Sequence, residues 1–162
     1  MTRTFYAGVA ALALFAGTAA AQDLKFKPGE DARFNWASYD AFAAAHDLSG
    51  QTLKIFGPWR GEDQALVESV LAYFKAATGA TVDYSSSENY EQQIVIDTQA
   101  GSPPDIAVLP QPGLIADLAS KGLLAPLGEE TAAWVKDNYA AGDSWVKLGT
   151  YKGKDGTDAF YA

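Results

Sequence analysis

Residues 53–127 read LKIFGPWRGEDQALVESVLAYFKAATGATVDYSSSENYEQQIVIDTQAGSPPDIAVLPQPGLIADLASKGLLAPL. Three short apolar runs, 52–56, 80–84 and 105–109, each lead into a polar or aromatic loop, and each loop opens a segment of helical character. The spacing is clearest over Glu62–Thr78, where Leu66, Val67, Val70, Leu71, Phe74 and Ala77 share one helical face. Glu62 and Asp63 place acids in its first turn, where the helix dipole favours them. Gly79 supplies the stop. Tyr90–Ala100 and Leu114–Lys121 read as further helices, closed by Gly101-Ser-Pro-Pro104 and Gly122. The run 105–109 is nearly all apolar, as expected of a strand buried in a parallel sheet. Alternating strands and helices predict an α/β fold with parallel pairing and right-handed crossovers.

Outward from that block, Thr131–Tyr139 reads as a helix that buries Trp134 and Val135. Residues 148–162 read as a hairpin with its turn at Lys152–Gly156. The chain stops inside the second strand of that hairpin, so it reads as truncated at its C-terminus. Toward the N-terminus, Tyr39–His46 predicts a short helix capped by Ser38, and Gln22–Trp36 an extended arm. Arg3, the apolar run Phe5–Gly17 and the small residues Ala19–Ala21 have the pattern of a secretion signal cleaved before Gln22. The expected organisation is thus a signal peptide over 1–21, an arm and short helix over 22–51, and an α/β lobe over 52–162.

The composition narrows the function. There is no cysteine among 162 residues, which removes disulfides, thiol catalysis and cysteine-ligated metal. An exported, cysteine-free chain suits a bacterial periplasm. The formal charge is −8, and loss of Arg3 with the signal would take it to −9. No basic run is present, which argues against a nucleic-acid or anionic-membrane partner. His46 is the single histidine and sits away from the loops. No Gly-x-Ser-x-Gly elbow, Walker loop or dinucleotide glycine motif occurs. Asp155-Gly-Thr-Asp158 is too sparse for a calcium loop. No catalytic residue, cofactor or metal is therefore assigned.

Open α/β sheets bind ligands outside the carboxyl ends of their strands, which directs attention to three loops. The first, Gly57–Asp63, combines Trp59, a flat apolar ring, with the polar Arg60 and Glu62. That mixture suits a sugar, whose C–H face stacks on aromatics and whose hydroxyls pair with charged groups. Gly57 and Pro58 are expected to turn the chain and Gly61 to permit close backbone approach. The alternative is an ordinary helix start with capping acids and a surface Arg–Glu pair. In the second loop, Ser85–Tyr90, Ser87 either contacts a polyol or caps the next helix. In the third, Pro110–Gly113, two prolines display Gln111.

Taken together, the block above, Phe74–Val82 with its Thr-Gly-x-x-Val, Pro104-Asp-Ile106 and Gly122-Leu-Leu124 resemble the first lobe of family 1 extracellular solute-binding proteins, the maltose-binding-like receptors of ABC importers. "FGPWRGEDQ", "SSSENYEQQIVIDTQAGSPP", "LPQPGLIADLASKGLLAPL", "NYAAGDSW" and "YKGKDG" are closest to the periplasmic α-glucoside-binding subgroup. The resemblance implies a two-lobed fold that closes on its ligand, an α-glucoside as that ligand, importer membrane subunits as partners, and action as a monomer without catalysis. It places ligand contacts on Trp59, Arg60, Glu62, Ser87 and Gln111, and assigns Asp105 to ordering the start of its strand. Relatives are longer, and a second lobe would lie beyond Ala162. The alternatives are the same fold with another oligosaccharide or a polyol, and a secreted carbohydrate-acting enzyme in which Glu62 works with Glu88 or Glu91.

Overall fold

The computed structural model describes residues 24–162; the signal-peptide assignment lies outside them. Helix α1 spans Trp36–Ala45, strand β1 Thr52–Phe56, α2 Glu62–Thr78, β2 Thr81–Ser85, α3 Tyr90–Gln99 and β3 Ile106–Ala107. After these come α4 over Pro112–Ser120, α5 over Glu129–Asn138, α6 over Gly142–Leu148, and the hairpin strands β4, Thr150–Lys152, and β5, Asp158–Phe160.

The expected parallel sheet is present, in the order β2-β1-β3. Thr52 to Phe56 pair in register with Thr81 to Ser85, and Ile55 and Phe56 with Ile106 and Ala107. Asp105 is not paired in the ladder but anchors it. Its carboxylate accepts from Lys54 N–H at 2.8 Å and its own N–H donates to Lys54 C=O at 3.0 Å. This is the strand-ordering role expected of it. The strand proper is only two residues long. It pairs with β1 alone, and Ile106 is 46% exposed, so the expectation of burial fails there. Beside it runs an apolar groove of about 690 Å³ lined by Ile106, Leu109, Leu123, Leu127 and Tyr161, among others.

The core lies where α3 covers the carboxyl ends of β1 and β3. Phe56, Tyr90 and Ile94 are buried together, with Val95, Ala107, Leu109 and Leu114 against them. On α4, Leu118 and Ala119 are wholly buried. That helix starts two residues before the predicted Leu114 because Pro112, with its fixed φ and missing N–H, is well suited to its first turn.

Several local expectations are corrected. The cap of α1 is Asn35, whose side chain accepts from Ser38 N–H at 3.1 Å; Ser38 is inside the helix. The N-terminal arm is folded in turns. It is pinned by Tyr73 of α2, whose hydroxyl accepts from Phe26 N–H at 2.7 Å and donates to Phe26 C=O at 2.8 Å. Phe26, Phe34 and Trp36 pack in series there as tilted ring pairs, with centroids 5.1 and 5.3 Å apart. Trp134 is 57% exposed rather than buried; the half-buried positions of α5 are Thr131, Ala132 and Val135, and Trp134 lies off that face. Helix α6 itself was not anticipated: it is only seven residues long, too short to show a period. The hairpin is as expected, antiparallel with Tyr151 opposite Ala159, and Asp155 accepts from Thr157 N–H at 2.9 Å within its turn.

Candidate functional site

β1 leads to β2 on one side of it, and β3 lies on the other, so the order reverses between β1 and β3. In such sheets the crevice outside that point is where ligands bind. A cleft of about 380 Å³ opens there. All three loops reach it: Pro58 and Arg60 after β1, Ser87 to Gln92 around the start of α3, and Pro110 after β3.

Its floor is held by Tyr90, a residue not singled out from sequence. Its ring lies 4.7 Å from that of Phe56. Its hydroxyl proton is shared between Phe56 C=O, at 3.3 Å, and Val108 C=O. One side chain thereby ties α3 to the ends of β1 and β3. Burial pushes the Tyr90 phenol up to about 12, helped by Tyr84 once that ionises and by the Glu91 carboxylate.

Arg60 Nη2 lies 2.8 Å from Glu88 Oε1, joining the first loop to the second. Both side chains are well exposed, so the pair adds little to stability. It matters instead as a donor–acceptor couple at the mouth. The partner of Arg60 is thus Glu88, not Glu62. Ser87 Oγ is buried and has no hydrogen-bond partner among the described residues. It does not cap α3; Asn89 holds the cap position, without a side-chain bond. A buried hydroxyl without a partner carries a desolvation cost, which a ligand hydroxyl can offset.

Of the five sequence candidates, Arg60 and Ser87 line the cleft together. Trp59, Glu62 and Gln111 stand outside its lining. Trp59 sits between the two lining residues of the first loop, with 37% of its surface exposed. Glu62 is exposed in the first turn of α2. Gln111 is exposed and occupies the cap position of α4, where its carbonyl accepts from Leu114 and Ile115 N–H.

The glycines of the first loop exchange the roles expected of them. A Cβ on Gly57 would fall 2.7 Å from Tyr84 Oη and 2.9 Å from Cε2, so Gly57 is the site of close approach. Gly61 has open space around it, but its φ of +58° and ψ of −125° lie where side-chain-bearing residues are strained. Gly61 is therefore the turning residue. His46, as expected, is peripheral: it stacks on Phe42, and its Nδ1 lies 2.9 Å from Phe42 C=O, to which it donates. No cluster of three metal-ligating side chains occurs among the described residues. A wider depression lies elsewhere, between the arm, α1 and α2. It measures about 730 Å³ and is lined by Phe34, Phe42, Leu66, Val70 and Phe74, among others.

Comparison with known proteins bears on the same residues. Over 168 aligned positions the whole chain is 71% identical to the alpha-glucosides-binding periplasmic protein AglE of Rhizobium meliloti, and it covers 37% of that protein. Over 83 positions, half of the chain, it is 41% identical to the osmoprotective compounds-binding protein GgtB of Synechocystis sp., covering 20% of that protein. The chain thus spans little more than a third of the curated relative that it matches throughout. Residues 57–158, which include all three strand-end loops, match the model of the bacterial extracellular solute-binding proteins, and the chain belongs to that family.

Proposed function

We propose that this chain is part of a periplasmic receptor that captures an α-glucoside and delivers it to the membrane subunits of an ABC importer. The observation that carries the reading is the cleft at the reversal point of the sheet. It brings a charged donor–acceptor couple, Arg60–Glu88, beside the unpartnered hydroxyl of Ser87. A polyhydroxylated neutral ligand meets those groups well, because each hydroxyl both donates and accepts. The 71% identity to an α-glucoside-binding protein supports the choice of sugar. Trp59 supplies the stacking ring, Glu62 further acceptors, and Gln111 a contact from the third loop. The lobe over 52–162 forms one wall, and a second lobe closes on it. The receptor acts as a monomer, without nucleic acid, cofactor or catalysis, and is exported by a signal over 1–21 that is cleaved after Ala21.

Calorimetry on the protein as its host makes it, with maltose, trehalose and sucrose against a polyol series, tests this reading. Binding of at least one α-glucoside in preference to the polyols is expected. Indifference to all three sinks it. Replacement of Trp59 by Ala is expected to weaken binding by roughly 1–3 kcal/mol, the scale of a stacked aromatic anchor. The relative that binds osmoprotective compounds supports a second reading, in which the same cleft takes such a solute. Preference for a polyol in the same titrations selects it. Incubation with a chromogenic α-glucoside is expected to release no chromophore; turnover abolished by Glu62→Gln would establish an enzyme instead.

A further inference from the structure

Tyr84 is the penultimate residue of β2, opposite Ile55 of β1. From there its ring passes beneath the first loop. Its hydroxyl accepts from Trp59 N–H at 3.1 Å and donates to Trp59 C=O at 3.0 Å. The two bonds hold the peptide units on either side of Trp59, one by its N–H and the other by its C=O, which restricts φ and ψ of that residue. The ring reaches it only because residue 57 has no side chain: a Cβ there would meet Tyr84 at three atoms within 3.2 Å. Gly57 is not at a left-handed φ, so its lack of a side chain serves this passage rather than a turn. Tyr73 makes the same two-bonded grip on Phe26, beside the apolar depression between the arm, α1 and α2, where it holds the arm on α2.

We propose that Tyr84 is the positioning residue of the Trp59 platform, setting the orientation in which that ring meets the sugar. The inference rests on the α-glucoside reading for its ligand arm, not for its geometry. Tyr84 is half-buried and does not line the cleft, so it acts through Trp59 and not by touching ligand. Without the hydroxyl the loop keeps its sequence and its ring but samples other orientations, and ligand binding must first select the right one.

The test is Tyr84→Phe, which keeps the ring and removes both bonds, made in the protein as its host produces it and alone or with Trp59→Ala. Maltose affinity is expected to fall about tenfold in Tyr84→Phe, the scale of one or two ordinary hydrogen bonds. In the Trp59→Ala background the same change is expected to add nothing, since there is no ring left to orient. An equal loss in that background, or no loss in either, overturns the proposal. A second readout needs no ligand: the indole resonance of Trp59, assigned by its absence in Trp59→Phe, is expected to shift or broaden in Tyr84→Phe. An unmoved indole overturns the proposal whatever the receptor binds. Unchanged maltose affinity in Trp59→Ala alone, with the indole still responsive, instead removes Trp59 from the binding site and leaves the grip of Tyr84 standing.

Discussion

Gly57 and Gly61 show how one residue type answers two physical demands within five positions. At Gly57 the demand is steric and comes from Tyr84. At Gly61 it is conformational and comes from the backbone itself. The two separate experimentally. Gly57→Ala forces an overpacked contact costing about 1–3 kcal/mol. Gly61→Ala imposes backbone strain of about 1–3 kcal/mol. In urea unfolding, truncation of Tyr84 to Ala is expected to relieve the first cost and leave the second untouched. Equal penalties in both backgrounds would show that the Tyr84 ring is not what excludes a side chain at residue 57. From sequence both glycines were recognisable as special, but not which demand each met. Steric demand at Gly57 comes from a residue 27 positions away, and a local reading has no access to it.

At the scale of elements, the long helix α2 and strand β1 were legible because their signals are local: period, first-turn acids, a terminal glycine. Strand β2 and helices α3 and α4 came within two residues, the usual latitude of element ends. What stayed hidden depends on contacts between elements: the folded arm gripped by Tyr73, the exposure of Trp134, and the short helix α6. Tyr90 belongs here too. It joins three elements through one hydroxyl, and only its buried neutral form can donate. The folded state therefore holds its proton from the ordinary value of 10 up to about 12, whereas the unfolded chain releases it near 10. Stability from this group is full below pH 10 and lost as pH rises through that interval. Tyr90→Phe is expected to lower stability at pH 7 by about 1–2 kcal/mol, since Val108 C=O loses a donor. It is also expected to shallow the decline measured above pH 10; an unaltered slope would assign that decline to other tyrosines.

Over the whole molecule, polar and apolar concavities are separated. The cleft at the strand ends is small and edged with charge. The two larger depressions, beside β3 and between α1 and α2, are apolar, and they expose Ile106, Leu66 and Val70. Apolar patches of this kind mark surfaces that other polypeptide covers or surfaces that associate. The net charge of −8 opposes association at low ionic strength and does so less as salt screens it. A solvatochromic hydrophobic dye is therefore expected to bind the 162-residue chain. Binding is expected to fall on Val70→Lys and on Ile106→Lys, each of which places a charge in one depression. Maltose, which has no business in either, is expected to leave the dye signal unchanged at concentrations that fill the cleft. Competition between maltose and dye would mean that the sugar lies along an apolar groove, and would move the binding site away from Arg60 and Ser87.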